Sequence, residues 1–324
     1  MQTSRASNLS SPLAKRLRTS VRHNWADYLI AVLFVVMVIY ASTQSDTFLT
    51  ERNLSNVARQ IVTNGLISLG MLIVVLTGGI DLSVGSVVAL AAIIAAGLQT
   101  HVPVMVAIGA ALLAGIGVGL FNGIFIAYFK LAPFIVTLAT LGGVRGLVYV
   151  YSDTPQSPAN PQFREVLTTF IEGIPISAII MVICYVLIWV FLNRTVAGRA
   201  INAIGGNAEA VRLSGINVEW HTTLAYIMSG FFSALAGVLL AARLGISQPS
   251  VGAAYELDAI AATVIGGATL GGGSGGAIGT FAGVLTLGLI DNLLNLFNVQ
   301  SYYQQIVKGG IILVAVLVRR RRSL

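Results

Sequence analysis

The stretch Val102–Tyr128, VPVMVAIGAALLAGIGVGLFNGIFIAY, contains no charged residue. A helix needs about 20 apolar residues to cross the hydrocarbon core of a bilayer, and this run is long enough to do so alone. Working outward, comparable runs recur at Asp27–Ser45, Leu54–Thr77, Val84–Leu98, Pro133–Tyr151 and Ile174–Leu192. Others follow at Thr222–Arg243, Leu257–Leu270, Gly275–Phe297 and Gln304–Val318, with the glycine-broken runs at Val84 and Leu257 the shortest. Composition agrees: 56% of the 324 residues are hydrophobic and 10% charged, whereas a soluble domain carries about 25% charged residues to wet its surface. Mean hydropathy is +0.86. The chain therefore reads as an all-α polytopic membrane protein of about ten transmembrane helices. A single transmembrane domain, 27–318, lies between basic tails at 1–26 and 319–324.

The net charge of +7 is concentrated at the ends. Arg5, Lys15, Arg16, Arg18 and Arg22 precede the first run, and Arg319 to Arg322 follow the last. Lys and Arg resist translocation, so basic clusters beside spans mark the cytoplasmic side. Six crossings return Asn193–His221, with Arg194, Arg199 and Arg212, to the cytoplasm, and four more return the tail. Both termini are thus expected inside, with 193–221 a cytoplasmic loop and 152–173 an external one. Arg52 and Arg59 fall outside, against the rule. No basic face or nucleic-acid motif accompanies the tails, so no nucleic-acid partner is expected. The single Cys184 and the scattered His23, His101 and His221 offer neither an intrachain disulfide nor a metal site. The long polar lead and the later spans argue against a cleavable signal.

An internal correspondence divides the chain into two repeat-related halves. Gly78-Gly79-Ile80-Asp81-Leu82-Ser83-Val84-Gly85-Ser86 matches Gly266-Gly267-Ala268-Thr269-Leu270-Gly271-Gly272-Gly273-Ser274 as G-G-x-x-L-x-x-G-S. Gly119-Leu120-Phe121-Asn122 pairs more weakly with Gly288-Leu289-Ile290-Asp291. Duplicated halves are the usual build of transporters. Neither glycine cluster contains the lysine of a phosphate-binding G-x-x-x-x-G-K-[ST] loop, so the chain is not expected to hydrolyse ATP.

The glycines admit two readings. Gly115-x-x-x-Gly119-x-x-x-Gly123, Gly279-x-x-x-Gly283 and Ser229-x-x-x-Ser233-x-x-x-Gly237 have the spacing of close helix packing. The G-G loops, with Gly78, Gly79, Gly266 and Gly267, read instead as breaks in helices beside a translocation path. Unwound backbone survives at membrane depth only inside protein or against a wet cavity. Asp81, Arg145, Asp291 and Lys308 place costly charges in or beside spans; for Arg145 and Lys308 a structural role, snorkelling or pairing, reads equally with a functional one. Asn122, Asp291 and Asn292, with Asn295, offer hydrogen-bonding groups suited to a polyhydroxylated solute.

The loop sequence Glu209-Ala210-Val211-Arg212-Leu213-Ser214-Gly215 resembles the E-A-A-x-x-x-G core that permeases of ATP-driven importers present to their nucleotide-binding subunits. It reads as a short amphipathic helix ended by a glycine cap. The strings Thr77–Ser86 (TGGIDLSVGS), Pro133–Leu138 (PFIVTL), Gly198–Ile216 (GRAINAIGGNAEAVRLSGI), Glu256–Gly267 (ELDAIAATVIGG) and Gln305–Val316 (QIVKGGIILVAV) occur in order. Together they resemble the ribose/xylose/autoinducer-type branch of bacterial binding-protein-dependent permeases, from about Leu54 to Val318. The resemblance implies a subunit of an inner-membrane importer that forms the pathway for a monosaccharide. A tandem sugar-type ATPase, a second permease copy or paralogue, and a periplasmic solute-binding protein would be its partners. ATP and Mg²⁺ would be used by the ATPase, with no cofactor on this chain. Coupling carries over to Glu209, Ala210 and Gly215, with Gly198 and Arg199 nearby. The chain departs from the pattern at Val211, which replaces the second alanine, and at Gly271–Gly276, where relatives often place larger residues. A nucleoside or autoinducer-type solute remains an alternative cargo. An ion-coupled secondary transporter is the alternative class, with Asp81 and Asp291 as its coupling carboxylates. A membrane-embedded enzyme lacks a nucleophile–base or metal constellation.

Overall fold

The computed structural model describes residues 35–320. The tail at 1–26, the first residues of the run at Asp27–Ser45 and the last residues of the C-terminal basic cluster lie outside them. Helices come in the order α1 (Val35–Gln44), α2 (Glu51–Leu76), α3 (Val84–Gly97), α4 (Val104–Ala127), α5 (Pro133–Tyr151) and α6 (Pro161–Thr168). A two-residue hairpin, β1 (Phe170–Ile171) against β2 (Ile174–Pro175), precedes α7 (Ile176–Arg194). The chain continues through α8 (Val196–Leu213), α9 (Val218–Leu244), α10 (Tyr255–Ile265), α11 (Ala277–Leu296) and α12 (Ser301–Arg320). Among the described residues, α2, α4, α5, α7, α9 and α11 are each long and apolar enough to cross a membrane.

Local chemistry sets the boundaries. Thr50 caps α2 by accepting from Asn53 N at 3.3 Å, and Asn217 caps α9 by accepting from Trp220 N at 2.8 Å. Proline begins α5 and α6, where a missing N–H costs nothing. At about 1.5 Å per residue, α10 spans only about 17 Å, too little for a hydrocarbon core of about 30 Å. The apolar run there extends to Leu270, yet the helix stops at Ile265 because Gly267 takes φ +111°. The loop 152–173 is likewise more ordered than its polarity implies, since it contains α6 and the first hairpin strand.

Helices α2 and α9 form the centre. From Ile61 to Leu76, α2 is buried at every position but Asn64, as expected of a helix apolar all round. By contrast α4, α5 and α7 turn Met105, Leu113, Leu138, Leu147, Val182 and Leu187 outward. Lipid is as apolar as these side chains, so helix association rests on close packing and hydrogen bonds. The small-residue spacings supply that packing. A Cβ on Gly115, Gly119 or Gly123 would meet α9 backbone at Gly230, Tyr226 or Thr223 within 2.7 Å. Gly237 lies against Val88 O of α3, while Gly279 and Gly283 lie against Gly266 O and Ala262 O.

Candidate coupling and translocation site

Helix α8 lies at one end of the bundle, folded back from α7. Thr195 ends α7 and caps α8 by accepting from Gly198 N at 3.0 Å. Gly198 permits the corner, since a Cβ there would strike Phe191 O. Arg199 points outward. At Asn207 the backbone leaves helical geometry (φ −163°, ψ 95°), and its side chain accepts from Ala210 N at 2.9 Å. Asn207 is therefore the N-cap of a second short helical piece. That piece ends in a Schellman motif: Gly215 N donates to Arg212 O at 2.9 Å and Ile216 N to Val211 O at 3.3 Å, with Gly215 at φ +79°. Glu209, Ala210, Leu213 and Gly215 are exposed. Arg212 bridges Glu209 at 2.9 Å and Glu219 of α9 at 2.8 Å. Val211 alone in this piece turns inward, packing with Ile204, Val218 and Ile216. The departure from the family's second alanine thus fills a small apolar seat beneath the exposed turn.

Both glycine loops reach the same end. Helix α2 closes with Gly78 at φ +84°, Gly78 N on Val75 O at 2.9 Å and Gly79 N on Val74 O at 3.2 Å. The remaining Leu76 carbonyl accepts from Gly273 N at 3.0 Å, so the second loop completes the cap of the helix entering the first. Within that second loop, Thr269 N donates to Ser274 O and Gly272 N to Thr269 O, each at 2.9 Å. Gly266 packs on Gly279, and Gly79 leaves room for the Tyr226 hydroxyl.

Behind the first loop lies a buried polar network. Asp81 Oδ1 accepts from Ser83 N at 3.0 Å and Ser83 Oγ at 2.6 Å, and Oδ2 accepts from Ser229 Oγ at 2.7 Å. Asn122 Nδ2 donates to Ser83 Oγ at 3.0 Å, and Thr140 Oγ1 donates to Asn122 Oδ1 at 2.6 Å. Thr137 Oγ1 reaches Ile80 O at 3.1 Å. Asp81 also sits at the start of α3, where the helix dipole favours negative charge. Among the described residues the network joins α3, α4, α5 and α9 without a cation. Of its members, Asp81 and Asn122 stand out in the sequence as polar groups in apolar runs, and Ser229 only by its packing spacing. Thr140 carries no signal of its own in the sequence, whereas Ser83, a hydroxyl two residues after a buried Asp, is a recognisable local partner.

Asp291 and Asn292 lie at the opposite end, apart from Asp81 and Asn122. Lys308 Nζ bridges Asp258 Oδ2 at 3.0 Å and Asp291 Oδ2 at 3.1 Å. Asn64 Nδ2 lies 3.4 Å from the same Asp258 oxygen. Asn292 and Asn53 exchange amide hydrogen bonds at 2.9 and 3.2 Å. Arg145 holds a third position: it donates to Pro249 O at 2.5 Å and Val251 O at 2.8 Å, with Gly85 O at 3.5 Å. Its guanidinium thereby satisfies carbonyls of the non-helical segment before α10, a requirement at membrane depth. Both Arg145 and Lys308 are paired. The eight residues expected along a path thus divide between two ends of the bundle.

An apolar groove of about 810 Å³ runs between α3, α4 and α5, lined by residues such as Leu90, Phe121, Phe125, Ile135 and Leu147. Its one hydroxyl, Thr140, is already donated within the network. The groove therefore offers nothing to a polyhydroxylated solute.

Comparison with known proteins places this architecture. Residues 53–316 match the family described as branched-chain amino acid transport system / permease component. The chain is 45% identical over 292 residues to the ribose import permease protein RbsC of Bacillus subtilis, covering 89% of this chain and 91% of that protein. It is 43% identical to RbsC of Escherichia coli K12 (91% and 93% covered) and 36% identical to that organism's D-allose transport system permease protein AlsC (89% and 90% covered). No solved structure matches the chain significantly. With its apolar helices, capped α8 turn and near full-length similarity to these transporters, the chain is a multi-pass membrane protein and a member of this permease family.

Proposed function

We propose that this chain forms the pathway of an ATP-driven importer that carries a monosaccharide across the bacterial inner membrane. The observation that carries the reading is the exposed turn 208–213, capped at both ends and held on the α8 end of the bundle. Its outward Glu209, Ala210 and Leu213 make a small, rigid docking surface for a soluble subunit. On this reading the α8 end is cytoplasmic, as are both termini, and it receives a tandem sugar-type ATPase that binds the ATP and Mg²⁺. A second permease, identical or paralogous, completes the pathway over 27–318. A periplasmic binding protein docks at the end carrying α6 and the hairpin.

The cargo follows from the relatives. The family description names branched-chain amino acids, but relatives at 36–45% identity carry the names of ribose and D-allose transporters. That favours a monosaccharide. The ion-coupled alternative is weaker because Asp81 is spent on three hydrogen bonds and Asp291 on Lys308.

Reconstitution in proteoliposomes tests the reading. Labelled sugar is expected to enter only with the ATPase, the binding protein and ATP present. Uptake by this chain alone under a proton or sodium gradient would overturn it. Glu209→Lys is expected to weaken co-purification of the ATPase at least about tenfold, the effect of about 1.4 kcal/mol, while membrane insertion is unchanged.

A further inference from the structure

Three segments far apart in sequence meet at one point, and all three meet as bare backbone. The first is the end of α2, where Leu76 O accepts from Gly273 N at 3.0 Å. The second is the loop 266–276 that supplies that N–H. The third is α8 at Gly205. A Cβ on Gly205 would lie 2.0 Å from Leu76 O, 2.3 Å from Gly273 N and 2.8 Å from Gly272 C. Gly205 therefore rests directly on the hydrogen bond that joins the two glycine loops. The contact is mutual, since a Cβ on Gly272 would lie 2.7 Å from Gly205 Cα and 2.8 Å from Gly78 N. The adjacent Gly206 differs: a Cβ there would meet nothing within 4 Å.

We propose that Gly205 is the positioning residue through which α8 drives both glycine loops at once. This rests on the coupling reading above. Helix α8 is anchored at its start, where Gly198 is wedged on Phe191 O under the Thr195 cap. Gly205 follows two turns on, about 10 Å along the helix, and the docking turn 208–213 lies beyond it past the Asn207 kink. Anchor, contact and docking turn thus follow one another along α8, as in a lever loaded at its middle. Side chains at the contact would cushion the motion through rotamer changes. Backbone against backbone has no such slack, and close-packed contacts transmit displacement rather than absorb it. The Leu76–Gly273 bond makes the loops 77–83 and 266–276 move together, although Gly78 and Gly273 belong to opposite halves of the chain.

The test uses the complete complex in proteoliposomes, comparing Gly205→Ala with Gly206→Ala. Gly206→Ala is expected to keep the uptake-to-hydrolysis ratio of the unsubstituted chain. Gly205→Ala is expected to retain the ATPase in co-purification and to hydrolyse ATP, yet to import at least tenfold less sugar per ATP. A probe at Ser274→Cys reports the loop, and its labelling rate is expected to change on ATP binding; the change should vanish with Gly205→Ala. Equal uptake per ATP in the two alanine variants would overturn the proposal, even with ATP-driven import intact. Should Gly205→Ala fail to fold, the probe alone decides: no response of Ser274→Cys to ATP in an actively importing complex also overturns it. Absence of any ATP-driven import by the unsubstituted chain would instead refute the functional reading beneath it.

Discussion

Asp81 and Asp291 are both buried carboxylates of the helical bundle, and they are stabilised by opposite means. Among the described residues Asp81 has no cation near it; it is held by Ser83, Ser229 and the start of α3. Among the described residues Asp291 depends on Lys308, which meets its Oδ2 and is shared with Asp258, while its Oδ1 is buried without a hydrogen-bond partner. Asp81 draws on short-range dipoles, two of its three hydrogen bonds coming from a residue two positions away. Asp291 draws on charge brought by another helix. A dipole network fails one hydrogen bond at a time, whereas a shared cation fails as a unit. The Asp81 network therefore loses stability in small steps, whereas the opposite end owes its integrity to the seating of α12.

The strongest way to break the contrast is Lys308→Met, which leaves two carboxylates without their cation. Removing one member of a fully buried ion pair costs about 3–5 kcal/mol, and this partly buried cluster is expected at or below the lower end of that range. The purified protein is expected to show the largest fall in unfolding midpoint in detergent, and adding Asp258→Asn and Asp291→Asn should restore most of it. Asp81→Ala comes next. It leaves a buried backbone N–H and two hydroxyls to find new acceptors, a loss of about 2–3 kcal/mol, and Asp81→Asn should lose less by keeping an acceptor. Thr140→Val, which removes one link, is expected to cost about 1 kcal/mol in the same assay. If Lys308→Met proved no worse than Thr140→Val, the shared-cation account of the α12 end would be wrong.

Much of the fold is legible in the sequence because hydropathy measures the solvent directly. The apolar runs locate α2, α3, α4, α5, α7, α9, α11 and α12 closely, and the spacing of Gly115, Gly119 and Gly123 identifies the face that α9 covers. The glycine cap at Gly215 is equally local. Other features depend on information that no window contains. Apolar residues continue past Ile265, so hydropathy overextends α10, while the turn at Gly267 ends it. Helix α8 begins at Val196, in a stretch of alanine, glycine and isoleucine whose helical state is set by Thr195 and by packing on α7. Asp81 and Asn122 are recognisable as polar groups in apolar surroundings, yet their link through Ser83 and Thr140 requires four helices to be in place. Gly205 is invisible for the same reason: what distinguishes it from Gly206 is only what lies across from it.

The kink at Asn207 separates two inheritances within one helix. Beyond it, the turn carries its own cap at each end, and Val211 seats on Ile204, Ile216 and Val218, so its stability is settled within the segment 204–218. Before it, α8 rests chiefly on the bundle, through Gly198 on α7 and Gly205 on the glycine loops. On the functional reading proposed here, substitutions in the turn can retune which motor subunit is accepted while the passage itself stays unaltered. Choice of engine and choice of cargo are then free to diverge independently among related permeases.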